Sequence, residues 1–100
     1  MTMEQSGKLE EDAIVAQLSG LPQWKRKDDH IVRQFDAKDA RHALRLIQRI
    51  GDLAEGAGHH PELEWVYRHL RIALTTHDAS GLTIRDFHLA GCIEDVLEHG

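Results

Sequence analysis

Eight histidines stand among 100 residues, and imidazole is the side chain whose charge changes near neutral pH. The densest chemistry lies in residues 55–86, EGAGHHPELEWVYRHLRIALTTHDASGLTIRD. There His59 and His60 sit side by side before Pro61, His77 closes an apolar run, and Glu55, Asp78 and Asp86 supply carboxylates. Such a set suits proton transfer. A carboxylate that hydrogen-bonds one ring nitrogen fixes the tautomer of the other, so imidazole and acid together can deliver and accept protons.

Competing chemistries fit less well. Three imidazoles and a carboxylate are standard zinc ligands, but the chain has neither His-Glu-x-x-His nor a cysteine pair, and adjacent side chains on extended backbone point apart, so no metal is expected. Cys92 is the sole cysteine, which rules out an intrachain disulfide and reads as an inert thiol inside a helix. Neither Cys92 nor Ser80 has the glycine motif that would support a nucleophile working with His77. His30, His42, His69, His88 and His99 read as surface or satisfied core residues, and Trp24 and Trp65 as core or interface. Asp86 has a structural role available as the third residue of a helix capped by Thr83.

The elements that must position these groups follow from periodicity. Leu9, Ala13, Ile14 and Leu18 recur at helical spacing before Gly20 and Pro22. Trp24–Lys27 and His30–Phe35 read as a hairpin turning at Asp28 and Asp29. Asp36 and Asp39 resemble caps for a helix from Ala37 to Ala54, with Ala40, Ala43, Leu44, Ile47 and Ala54 inward and Arg41, Arg45, Gln48 and Arg49 outward. Gly56, Gly58 and Pro61 mark Glu55–Pro61 as a loop. Glu64–Tyr67 and Leu70–Thr76 follow as strands; His77 falls on the face away from the helices if the second strand reaches it. Thr83 opens a last helix with Leu89, Ala90, Ile93, Val96 and Leu97 buried. The expected fold is α+β, a four-stranded antiparallel sheet with three helices packed on one face in the order α-β-β-α-β-β-α. The other face is left for a ligand or partner.

One such domain spans residues 1–100, with residues 1–7 expected to be flexible. A chain this short buries roughly two thirds of its unfolded surface, so self-association would help it. The net charge of −5 argues against direct nucleic-acid binding, and the triplet Lys25, Arg26 and Lys27, followed at once by Asp28 and Asp29, reads as a solvated hairpin tip. No apolar run approaches a membrane span, which makes a cytoplasmic protein the default.

The spacing in residues 55–86 resembles that of the pterin-4a-carbinolamine dehydratases. Glu55, three residues, His59-His60-Pro61, five residues, Tyr67, nine residues, His77, eight residues and Asp86 follow that family's pattern. Trp24, Arg33-Gln34-Phe35, Lys38-Asp39, Ala43, Thr76-His77-Asp78 and Gly81-Leu82-Thr83 extend the similarity over most of residues 9–97. Ala37, Ala40, Leu63 and Glu64 stand where many members carry aromatics; Trp65 either replaces the missing pocket wall or lies elsewhere by its strand parity. The resemblance implies the same fold, no metal or organic cofactor, and removal of water from a 4a-hydroxytetrahydropterin to give the quinonoid dihydropterin. It implies His59, His60 and His77 as the catalytic groups, Glu55 orienting His59, and Pro61, Thr76, Asp78 and Asp86 contributing to the pterin site. A homodimer or homotetramer, and a pterin-dependent aromatic amino-acid hydroxylase in the same pathway, belong to that picture. Relatives also include a transcription-factor dimerisation cofactor and assembly proteins, so the alternative is a non-enzymatic interaction module on this scaffold.

Overall fold

The computed structural model describes residues 7–100. Its elements are α1 (Glu11–Leu18), β1 (Lys25–Lys27), β2 (His30–Asp36), α2 (Ala40–Ala57), β3 (Glu62–Val66), β4 (His69–Leu74), a short 3-10 turn (His77–Ala79) and α3 (Ile84–His99). The four strands form one antiparallel sheet in the order β1-β2-β4-β3. This is the α+β arrangement read from the sequence. The flexibility expected for residues 1–7 falls, for residues 1–6, outside the described residues. No described helix is long and apolar enough to cross a membrane.

Side chains alternate across a sheet, so register decides which residues enter the core. Ile31 pairs with Leu74, Arg33 with Ile72 and Phe35 with Leu70, and this set faces the helices. Ile31, Ile72 and Leu74 are fully buried against Leu46 and Ile50 of α2 and Ile93 of α3, with Ile14, Trp24, Leu82 and Phe87 completing the cluster. Each such side chain removes enough apolar surface from water to contribute about 1.5–3 kcal/mol before conformational entropy is counted. Arg33 adds a polar fastening. Its Nε and Nη2 donate to the two carboxylate oxygens of Glu94 on α3, both at 2.9 Å, and the Trp24 indole donates to the same carboxylate at 2.9 Å. The Arg33 guanidinium holds the Glu94 carboxyl below the usual carboxylate range, against the opposing effect of burial.

Several boundaries differ from expectation, each for a local reason. α2 begins at Ala40, because Asp39 is its cap and accepts from the His42 amide at 2.8 Å. Ala37, expected inside that helix, is instead clamped to Arg68: its amide donates to the Arg68 carbonyl and its carbonyl accepts from Arg68 Nη1. Asp36 ends β2 and pairs with His69. The helix runs past Gly56 to Ala57, so Glu55 is helical rather than in a loop. Its buried side is His42, Ala43, Leu46, Ile50 and Ala54, whereas Leu44 is 45% exposed. More of the helix is apolar than the core can cover, and the sheet selects the arc. β3 starts at Glu62 and ends at Val66, with Tyr67 at φ 57° in the two-residue turn to β4. β4 stops at Leu74, so His77 is not on a strand face at all. Beyond it Thr76 and Gly81 pair across the 3-10 turn that contains His77.

Candidate active site

Two helix ends build the site. At the first, Gly58 adopts φ 64°, the left-handed conformation that closes a helix cheaply only without a Cβ, and its amide returns to the Ala54 and Glu55 carbonyls. The next amide, of His59, also bonds the Ala54 carbonyl, at 3.2 Å. Pro61 follows and holds His60 in extended geometry. The chain therefore leaves α2 with His59 turned inward, 8% exposed, while His60 stays outside. At the second end Thr83 caps α3, and Asp86 closes a capping box by accepting from the Thr83 amide at 2.9 Å.

Asp86 joins the two ends. It is fully buried, and its oxygens divide the work. Oδ2 takes the Thr83 amide and the Thr76 hydroxyl, at 2.9 and 2.8 Å, while Oδ1 lies 2.6 Å from His59 Nε2. Three donors compensate the burial of the carboxylate. Thr76 Oγ1 is also 2.8 Å from Thr83 Oγ1. Since Thr76 donates to Asp86, Thr83 must donate to Thr76, and Thr83 in turn accepts from the Arg85 amide at 3.3 Å. The result is a run of hydrogen bonds ending on one carboxylate, each polarising the next. Because that carboxylate offers acceptors, the neutral His59 ring carries its proton on Nε2 and presents its lone pair at Nδ1.

His60 is held differently. Its Nε2 lies 2.6 Å from Glu55 Oε2, with both side chains largely exposed. Glu55 therefore orients His60 and not His59, a correction to the pairing the resemblance implied; one further helical turn of α2 places its carboxylate over the outer imidazole. His77 and Asp78 are exposed on the 3-10 turn. They follow directly on Thr76, so the buried link from His59 through Asp86 to Thr76 anchors that turn to the first histidine.

Two hollows open beside this link. One of about 280 Å³ is lined by Ala57, His59, Ile84, Arg85, His88 and Leu89. The other, of about 340 Å³, includes Lys8, Thr76, Asp78, Ala79 and Arg85. Arg85 lines both, and its Nη2 donates to the Gly58 carbonyl at 3.2 Å. Arg85 and His88 were not among the sequence-derived site residues. Ile84 and His88 share a face of the expected last helix one turn apart, with Arg85 beside the cap, but nothing local in the sequence says that this face meets His59. Trp65 lies elsewhere. It pairs with Leu70 in the outer strand and donates its indole to the Tyr67 carbonyl. Three metal-type donor atoms come within 4.8 Å of one another at the exposed residues Asp95, Glu98 and His99; among the described residues His59, His60 and His77 form no such grouping.

Fold and site together define a class: small α+β domains in which a buried carboxylate at a helix cap orients an imidazole from a neighbouring helix end. Comparison with known proteins narrows it. The family model described as pterin 4 alpha carbinolamine dehydratase matches residues 7–96. A Chloroflexus aurantiacus protein named for pterin-4-alpha-carbinolamine dehydratase is 41% identical over 90 residues, covering 90% of this chain and 97% of its own length. One of the same name from Acidobacterium capsulatum is 45% identical over 85 residues, covering 85% and 92%. The crystal structure of a transcriptional coactivator/pterin dehydratase from Brucella melitensis superposes with a TM-score of 0.88 at 27% identity, covering 91% of this chain and 99% of that one. The chain belongs to the pterin 4 alpha carbinolamine dehydratase family.

Proposed function

We propose that this protein removes water from a 4a-hydroxytetrahydropterin, giving the quinonoid dihydropterin, and that His59, His60 and His77 share the acid and base work. The reaction needs the 4a-hydroxyl to gain a proton and leave as water while N5 loses its proton, and imidazoles manage both transfers near neutrality. The observation that carries the reading is the buried contact of His59 Nε2 with Asp86, which commits that ring to one tautomer with its Nδ1 available as a base. Glu55 does the same for His60, whose exposed position suits exchange with solvent. Backbone groups of Asp78, on the turn closed by the pairing of Thr76 with Gly81, offer partners for the polar edge of a pterin, and Pro61 keeps His60 in extended backbone.

The product is one that a reductase returns to the tetrahydropterin used by aromatic amino-acid hydroxylases, so such a hydroxylase is the natural metabolic neighbour. Exposed Leu63 and Trp65, which share one face of the outer strand, support a homodimer or homotetramer. The test is the dehydration rate of a 4a-hydroxytetrahydropterin with His60→Ala and His77→Ala. Each substitution lies at an exposed position and should leave the fold intact while lowering the rate roughly 10²- to 10⁴-fold. Unchanged rates in both would overturn the assignment.

A further inference from the structure

On the face of the sheet away from the helices, side-chain lengths create a hollow. Val32 and Gln34 form its floor, because Ile31, Arg33 and Phe35 point to the core and their neighbours point out. Lys25, directly across from Val32, Lys27 two residues on, and Arg71, directly across from Gln34, rise around them, with Gln23 at one end. The hollow is open to solvent on one side and has a volume of about 480 Å³. Arg26, between the lysines, points to the other face and pairs with Glu11 of α1.

The charges here are unbalanced in a directed way. The carboxylates of this face are engaged: Glu62 with His30 at 3.0 Å, Asp36 with His69 at 2.6 Å, and Glu64 with Arg71 at 3.5 Å. Lys25 and Lys27 make no ion pair among the described residues. Two ammonium groups and a loosely held guanidinium thus surround one concavity in a chain whose net charge is −5. Arg71 lies more than forty positions from the lysines in sequence, and only the strand order brings them together.

The geometry points to a second binding site, in this hollow, for a small phosphorylated molecule carrying at least two phosphate charges. Lysines recognise phosphate as point charges and arginine as a planar fork, and the two glutamines supply neutral donors around them. A polymer is disfavoured. Asp28, Asp29 and Glu62 line the neighbouring hollow beyond Lys27, and they would repel a phosphate backbone running past the cationic residues. The site is separate from the histidine loop and stands whether or not the dehydratase reading does.

The experiment is an amide-resolved NMR titration of the full chain with inorganic pyrophosphate at low salt, alongside a short single-stranded oligonucleotide. Saturable shifts confined to residues 23–27, 32–34 and 71 are expected. The Lys25→Glu/Lys27→Glu double variant should bind at least about tenfold more weakly, as the loss of charge-assisted contacts implies, with its dehydration rate unchanged. Added salt should weaken binding. Absence of saturable shifts at millimolar pyrophosphate, binding left within twofold by the double variant, or tighter binding of the oligonucleotide would each overturn the proposal.

Discussion

Replacing Asp86 by Asn separates the two jobs of that carboxylate. The side chain keeps its shape, so the question is which of its atoms faces which partner. Two donors, the Thr83 amide and the Thr76 hydroxyl, converge on Oδ2, and one, His59 Nε2, meets Oδ1. An asparagine satisfies the pair of donors with its single oxygen and turns its NH₂ toward His59. Nε2 must then accept, the ring proton moves to Nδ1, and the lone pair that faced outward is lost. Loss of a positioned base raises the barrier by the amount such groups supply, roughly 10²- to 10⁴-fold in rate, or about 3–5.5 kcal/mol. Stability falls less. The cap contacts survive without their charge assistance, which costs about 1–3 kcal/mol in all. At roughly 4–8 °C per kcal/mol for a domain of this size, melting drops yet the protein stays folded at 25 °C. Dehydration kinetics give the rate, and ¹⁵N shifts of the His59 ring report the tautomer directly. A variant that keeps Nε2 protonated, or one that flips the tautomer without slowing the reaction, would refute this account of the site.

Two further outcomes follow from the geometry. Gly58→Ala has open space around the new methyl but must hold φ 64°, so it should destabilise by about 1 kcal/mol in urea unfolding without any steric clash. Glu94→Gln leaves Arg33, which is only 11% exposed, without its counter-charge, and should cost about 2 kcal/mol at neutral pH. The Glu94 carboxyl is held below its ordinary value of 4.5, so the wild-type advantage is complete above that value and disappears as pH falls through the depressed native one. Denaturant melts of both proteins at neutral and acid pH should show the gap closing.

The sequence made the element order legible because each signal for it is local: helical spacing before Gly20, paired aspartates at the first turn, alternation through Leu70, Ile72 and Leu74, and Thr83 with Asp86 three residues later. Boundaries were less legible. Gly56 and Gly58 look alike on paper, yet only Gly58 takes the left-handed conformation that ends α2. The inward arc of α2 was blurred because Leu44 is as apolar as Leu46 and Ile50, and only the packing of the folded domain leaves it exposed while Ile47 sits against the edge of the core. Within the site, the histidines and acids were identifiable by type and spacing, but their partnerships were not. His59 and Asp86 are 27 positions apart. Nothing local says that Glu55 reaches the second histidine of the pair rather than the first, since that depends on where the helix stops.

Arg85 and Asp86 are consecutive, and they grip the consecutive residues Gly58 and His59. This two-point clasp exists only when both helices are seated at their native spacing. A swollen, acid-induced form could retain most of its helical circular dichroism and still slide these ends apart by an ångström or two. Such a form would be catalytically silent, which makes turnover a finer gauge of tertiary order in this protein than any measure of helix content.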